Sequence, residues 1–160
     1  MPVKYQQSEV FSIPVSDGTP AVGRVILKMR GGNILVAVYP ENSEIFDSAD
    51  LERLSTSRPV FTIETMDLFI KNGRWAVLGK WVPVVESPIL VYKTQFEPGG
   101  PFFEQRIDGS IGGQLADEEA IHLKRQKSFS PALVEKSVRA FQGLEPWIPV
   151  FDEMRSDECQ

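Results

Sequence analysis

One histidine, His122, and one cysteine, Cys159, are all the imidazole and thiol this chain contains. A Cys–His nucleophile pair would need Cys159 to reach His122 from a polar tail, a poor place to hold a nucleophile within hydrogen-bond reach of its base. His122 stands in Ala120-Ile-His-Leu-Lys with no serine–aspartate partner motif, so it reads as a surface histidine rather than a general base. Zinc needs several His or Cys at close spacing, and no such cluster exists. Gly109-Ser-Ile-Gly-Gly lacks the lysine of a phosphate loop and follows no strand–helix pattern, so it reads as a turn. These residues point to no catalytic centre, no metal site and no cofactor.

Carboxylates are the chemically active groups in good supply. Asp and Glu number 22 against 17 Lys and Arg, a formal net charge of −5. Glu41, Glu44, Asp47, Asp50 and Glu52 crowd one loop–helix segment, and Asp117, Glu118 and Glu119 form a second run. Neighbouring carboxylates can do acid–base work or hold a hard metal. A calcium loop, however, wants alternating ligands around a mid-loop glycine, and neither segment has that pattern. Two readings remain: a solvated face, or an acidic patch that meets a basic protein. Net negative charge gives no general attraction to phosphate backbones, so nucleic acid is not the expected partner. A small basic cluster, Lys124, Arg125 and Lys127, speaks the other way. With aromatic-rich strands it supports an alternative, a small-ligand or nucleic-acid-binding β-barrel module. The tryptophans, Trp75, Trp81 and Trp147, sit among apolar neighbours, where packing is the default role.

The elements that would hold these groups are mostly strands. Glu9-Val-Phe-Ser-Ile-Pro-Val alternates, Ala21 to Met29 follows after a turn cluster, and Arg30-Gly-Gly-Asn is a tight turn. Ile34 to Tyr39 is an unbroken apolar run, the mark of a strand buried on both faces. Short turns between these three predict an antiparallel meander. Ser48 can cap a short helix over 49–54. Pro59 to Thr65 is a fourth strand, 66–71 fits either strand or short helix, and 74–83 is a fifth strand ending at an edge, where Pro83 is tolerated. Ile89 to Thr94 and Phe102 to Ile107 form a further pair, after which glycines at 109, 112 and 113 break the segment. The clearest helix has Ser130 as N-cap, Pro131 at its first position, and Val134, Val138 and Phe141 on one face. Glu135, Lys136 and Arg139 lie off that stripe. Glu145 to Phe151 reads as extended.

The chain has 160 residues, 42% of them hydrophobic and 24% charged, which suits one globular domain with a real core. The expected fold is α+β: a mostly antiparallel, strongly bent β-sheet or small barrel, with one long late helix and short helical turns. Residues 1–151 are expected as a single domain, and 152–160 as a polar, frayed tail. The start lacks a basic region followed by an apolar run, and no stretch approaches a membrane span, so the expected location is the cytoplasm. The sequence carries no signal for an oligomeric state.

Three stretches carry a family resemblance. The first is Glu9-Val-Phe-Ser-Ile-Pro-Val-Ser-Asp-Gly with Gly23-Arg24-Val25. The second is Asn72-Gly-Arg-Trp-Ala-Val-Leu-Gly-Lys80. The third is Ala116-Asp-Glu-Glu-Ala-Ile-His-Leu followed by Ser130 to Phe141. In this order, over about residues 5–142, they resemble the immunity protein 26 family of bacterial polymorphic-toxin systems. Gln7-Ser8 stands where that family often has Gly-Asp. The resemblance implies a mostly β protein, not an enzyme, that binds and blocks a cognate toxin, often a nuclease, in the producing cell. It brings no catalytic residue. The acidic balance suits a basic nuclease as partner. The residues expected to face that partner are Glu41, Glu44, Asp47, Asp50 and Glu52, with Asp117, Glu118 and Glu119 second.

Overall fold

The computed structural model describes residues 1–17, 19–40, 58–80 and 90–156. Its first three strands are those the alternation predicts: β1 (Glu9–Ile13), β2 (Ala21–Lys28) and β3 (Asn33–Tyr39). They pair antiparallel in sequence order. A 3-10 turn at Arg30–Gly32 joins β2 to β3. β4 (Phe61–Met66) extends the meander on β3. β5 (Ala76–Lys80) returns to pair with β1, and β9 (Ser128–Phe129) lies parallel to β4. The resulting six-stranded order is β5-β1-β2-β3-β4-β9.

Alternation explains what each face buries. Ile34, Val36 and Val38 of β3 join Phe11, Ile13, Val25, Phe61 and Ile63 in the main core. Ala37 and Tyr39, pointing the other way, join Val10 and Val22 in a second apolar cluster. The unbroken apolar run of β3 therefore does serve two faces. Two late helices complete the main core. α3 (Pro131–Phe141) contributes Val134, Val138 and Ala140, and α4 (Val150–Met154) contributes Phe151 and Met154. Ser130 caps α3 as the sequence predicts, its Oγ accepting from the Leu133 amide at 3.2 Å. Residues 66–71 resolve to a short helix, α1 (Leu68–Lys71), whose Ile70 is buried.

A second, three-stranded antiparallel sheet contains β6 (Val91–Gln95), β7 (Phe102–Arg106) and β8 (Ile111–Gln114), followed by α2 (Asp117–His122). The chain forms two compact units, Met1–Val85 with Ser128–Gln160, and Glu86–Lys127. No change of composition marks the boundary, which falls inside the 1–151 stretch expected as one domain.

The fold is thus α+β, with two open sheets rather than a barrel among the described residues. Three local expectations differ from the structure. Gly112 and Gly113 do not break the chain but lie within β8, because only Gly109 there takes a positive φ (86°). Glu145 to Phe151 does not stay extended: Trp147 and Phe151 pack edge to face (5.4 Å) as the chain turns into α4. Within 152–160, expected to fray, Arg155 bridges to Phe61 and the Ser156 amide donates to the Val60 carbonyl at 3.0 Å. The helix predicted at 49–54, Trp81, Pro83 and Cys159 lie outside the described residues.

Candidate partner-binding surface

The sequence motifs that looked most specific turn out to build the first unit. Phe11 of β1 lies opposite Gly23 of β2, and a Cβ placed on Gly23 would stand 2.2 Å from the Phe11 ring. Only glycine lets the ring lie flat there. Above Phe11 the Trp75 indole stacks at 5.2 Å and 8°, and Phe69 meets that indole edge-on at 5.6 Å. Trp75 is fully buried. Its Nε1 donates to Glu135 at 3.1 Å, so the polar end of the ring is satisfied inside the core. Arg74 forms a two-pronged pair with the same carboxylate, both bonds 2.7 Å. That partner holds the Arg74 pKa above its ordinary value, first by hydrogen bonding and then by charge. Arg24, next to Gly23, is buried, and burial lowers its pKa while Tyr39 opposes the change. These residues serve the fold. Glu135 is the member the sequence missed: helical periodicity placed it off the buried stripe, and nothing in the pattern linked it to Arg74, 61 positions away.

The acidic run Asp117, Glu118 and Glu119 has a different setting. All three are exposed in the first turn of α2, where negative charge complements the helix dipole. The turn is seated by Ala120, which is buried and whose carbonyl accepts from the Lys93 Nζ at 2.8 Å. The segment 41–52, with Glu41, Glu44, Asp47, Asp50 and Glu52, lies outside the described residues.

The small sheet that carries α2 is built from two hairpins. β6 meets β7 with Gln95 opposite Phe102, and the Gln95 side chain closes the turn by donating to the Gly100 carbonyl at 2.7 Å. β7 meets β8 through Asp108-Gly109, where the Asp108 carboxylate accepts from the Ser110 amide at 2.9 Å. Hydrogen bonds from Ser110 hold the Asp108 pKa below its ordinary value. Of the basic cluster, the Arg125 side chain and the Lys124 backbone take part in this scaffold. Arg125 lies 5.4 Å from the centre of the Phe102 ring and donates to Gln95, and the Lys124 carbonyl accepts from the Lys93 amide. His122 is exposed at the end of α2. Among the described residues, no group of three or more His, Cys, Asp or Glu side chains is placed to hold a metal ion.

A family model described as immunity protein 26 matches residues 6–99. This chain belongs to the immunity protein 26 family. No curated protein and no solved structure matches it. The immunity protein 26 match spans β1 to β6 and includes Phe11, Gly23, Arg74 and Trp75. It stops short of the 5–142 read from the sequence: β7, β8, α2 and the capped helix α3 lie beyond it. No helix in the described residues is long and apolar enough to cross a membrane.

Proposed function

We propose that this protein is an immunity protein that neutralises a cognate bacterial toxin by stoichiometric binding, with no catalytic step of its own. Its partner is a basic toxin domain, a nuclease by preference, and it acts in the cytoplasm of the producing cell. Membership of the immunity protein 26 family carries this reading. The net charge of −5 and the exposed carboxylates of Asp117, Glu118 and Glu119 support a basic partner, since complementary fields speed encounter and disfavour wrong partners. Glu41, Glu44, Asp47, Asp50 and Glu52 belong to the same proposed acidic surface.

The test is co-purification with the product of the adjacent gene, followed by titration of that product's toxicity or nuclease activity. Inhibition should saturate at a fixed stoichiometry, and association should slow as salt rises. A partner that neither binds nor loses activity would sink the reading.

A further inference from the structure

The end of the first unit where β2 turns into β3 carries a charge opposite to that of the chain. Three segments meet there: residues 1–9, the turn 28–33, and α1 with its flanks, 66–72. The Asp67 amide donates to the Gly32 carbonyl at 2.9 Å, and the Val3 amide donates to the Lys71 carbonyl at 2.8 Å. The Tyr5 hydroxyl reaches Asp67 Oδ2 at 2.7 Å, so residues 3–5 run along α1 from its last residue back to its N-cap. Lys28 Nζ donates to the Tyr5 carbonyl at 3.2 Å, which ties the end of β2 to the same place.

Lys4, Lys28, Arg30 and Lys71 are all exposed. The two carboxylates of these segments are turned inward. Asp67 is buried and bonded to Tyr5 and Lys71, and Glu9 is half-buried, its Oε2 accepting from the Gln6 amide at 2.7 Å. Every exposed charged side chain of these segments is therefore a cation, in a chain whose formal charge is −5. Two aliphatic side chains stand among them: Leu68 is 53% exposed and Val3 39%. Leu68 lies three residues before Lys71, so the two share a face of α1, away from the buried Ile70.

Composition selects what fits this surface. The two rings of these segments, Tyr5 and Phe69, pack on the core, so a nucleic-acid base finds no stacking platform. Lysine supplies three of the four cations, and lysine is depleted at protein interfaces, where arginine and aromatic residues carry the energy. Lysines around protruding aliphatic side chains match an anionic bilayer instead. Headgroup charge attracts the ammonium groups, and aliphatic tips enter the boundary between headgroups and acyl chains. Charges more than a Debye length from the bilayer, about 8 Å at physiological salt, are screened, so this end rather than the net charge decides the approach.

We propose that this end is a peripheral membrane-docking surface: Lys4, Lys28, Arg30 and Lys71 face anionic phospholipid headgroups while Leu68 and Val3 dip between them. The association is reversible, since so few apolar groups fall short of a stable anchor. It neither rests on the toxin reading nor competes for its acidic residues.

The experiment floats the full chain with vesicles of phosphatidylcholine, with and without about one-third phosphatidylglycerol. The chain should float with the anionic vesicles only, and high salt should release it. Lys4→Glu with Arg30→Glu should keep the wild-type melting temperature and lower the floated fraction at least fivefold. Leu68→Ser should lower it on anionic vesicles at unchanged salt dependence. Vesicle composition and salt test the wild-type chain without any variant. Equal flotation with both vesicles, or none with anionic vesicles at low salt, overturns the proposal. So does a double variant that folds and floats like wild type. Binding to a polyglutamate peptide or an oligonucleotide that the double variant loses, with no flotation of wild type, overturns it as well and gives the surface to an acidic macromolecule.

Discussion

Phe11 is held between a glycine below and an indole above, and both neighbours leave it little room. Gly23→Ala would put a methyl inside the Phe11 ring, so β1 and β2 must part or the ring must leave the Trp75 stack. Overpacking of this kind costs about 1–3 kcal/mol. The urea midpoint should fall with an unchanged slope; a wild-type midpoint would show that the strands yield freely. A second residue couples the first unit to pH. The Tyr5 hydroxyl donates to Asp67 Oδ2 at 2.7 Å, and burial, then Asp67, raises its pKa above the ordinary 10.0. Lys71 pairs with the same carboxylate oxygen at 2.9 Å, and Lys28 lies 4.2 Å from the centre of the tyrosine ring. The folded state thus holds the phenol proton more tightly than the unfolded chain does. The contribution is fully present below pH 10 and is lost as pH climbs above it. Tyr5→Phe should be less stable than wild type at pH 8, and that gap should narrow above pH 10. A gap constant with pH would mean the proton is held no differently in the two states.

At the scale of elements, the legible parts are those whose signals are local. Ser130-Pro131 announces α3 because the cap and the fixed proline φ act within one turn, and Ser130→Ala should cost about 1 kcal/mol of stability. A thermal melt within error of wild type would show the cap to be dispensable. β1 to β4 are legible because alternation and tight turns repeat over short spans. β9 is not, since two residues have no period, and its pairing depends on Glu64 and Thr65 more than 60 positions earlier. α4 was hidden by prolines that look like extended chain, although Pro149 sits at its start with helical backbone angles. Of the candidate site, the run Asp117–Glu119 could be read directly, because charge is visible in composition. The Gly-Arg-Trp segment was legible as a motif, and its structural role became clear only once Glu135 of α3 came into place.

At the scale of the molecule, the described apolar clusters draw only on the first unit, from Tyr5 to Val77 and from Phe129 to Met154. The second unit is a stretch between β5 and β9, which stand at opposite edges of the six-stranded sheet. Five strand spacings separate them, roughly 24 Å at about 4.8 Å each. The pairings also make β5 and β9 run in the same direction, so the chain must climb the sheet by roughly another 17 Å. A flexible Gly/Ser linker of about 30 residues has the reach for that span. Replacing residues 90–126 with one should leave a protein that unfolds cooperatively, with Trp75 fluorescence reporting the transition. Loss of any cooperative transition would show that the first unit depends on the second.

Both ends of the second unit are thus joined to strands of the first, and the described apolar clusters of the first unit take no residue from it. If the linker variant unfolds cooperatively, such a segment is an exchangeable cassette. Its turns can lengthen, and its exposed side chains can be replaced, without rewriting the Phe11–Gly23–Trp75 stack that specifies the rest of the fold. Changes of sequence in such a segment would be screened hardly at all for foldability.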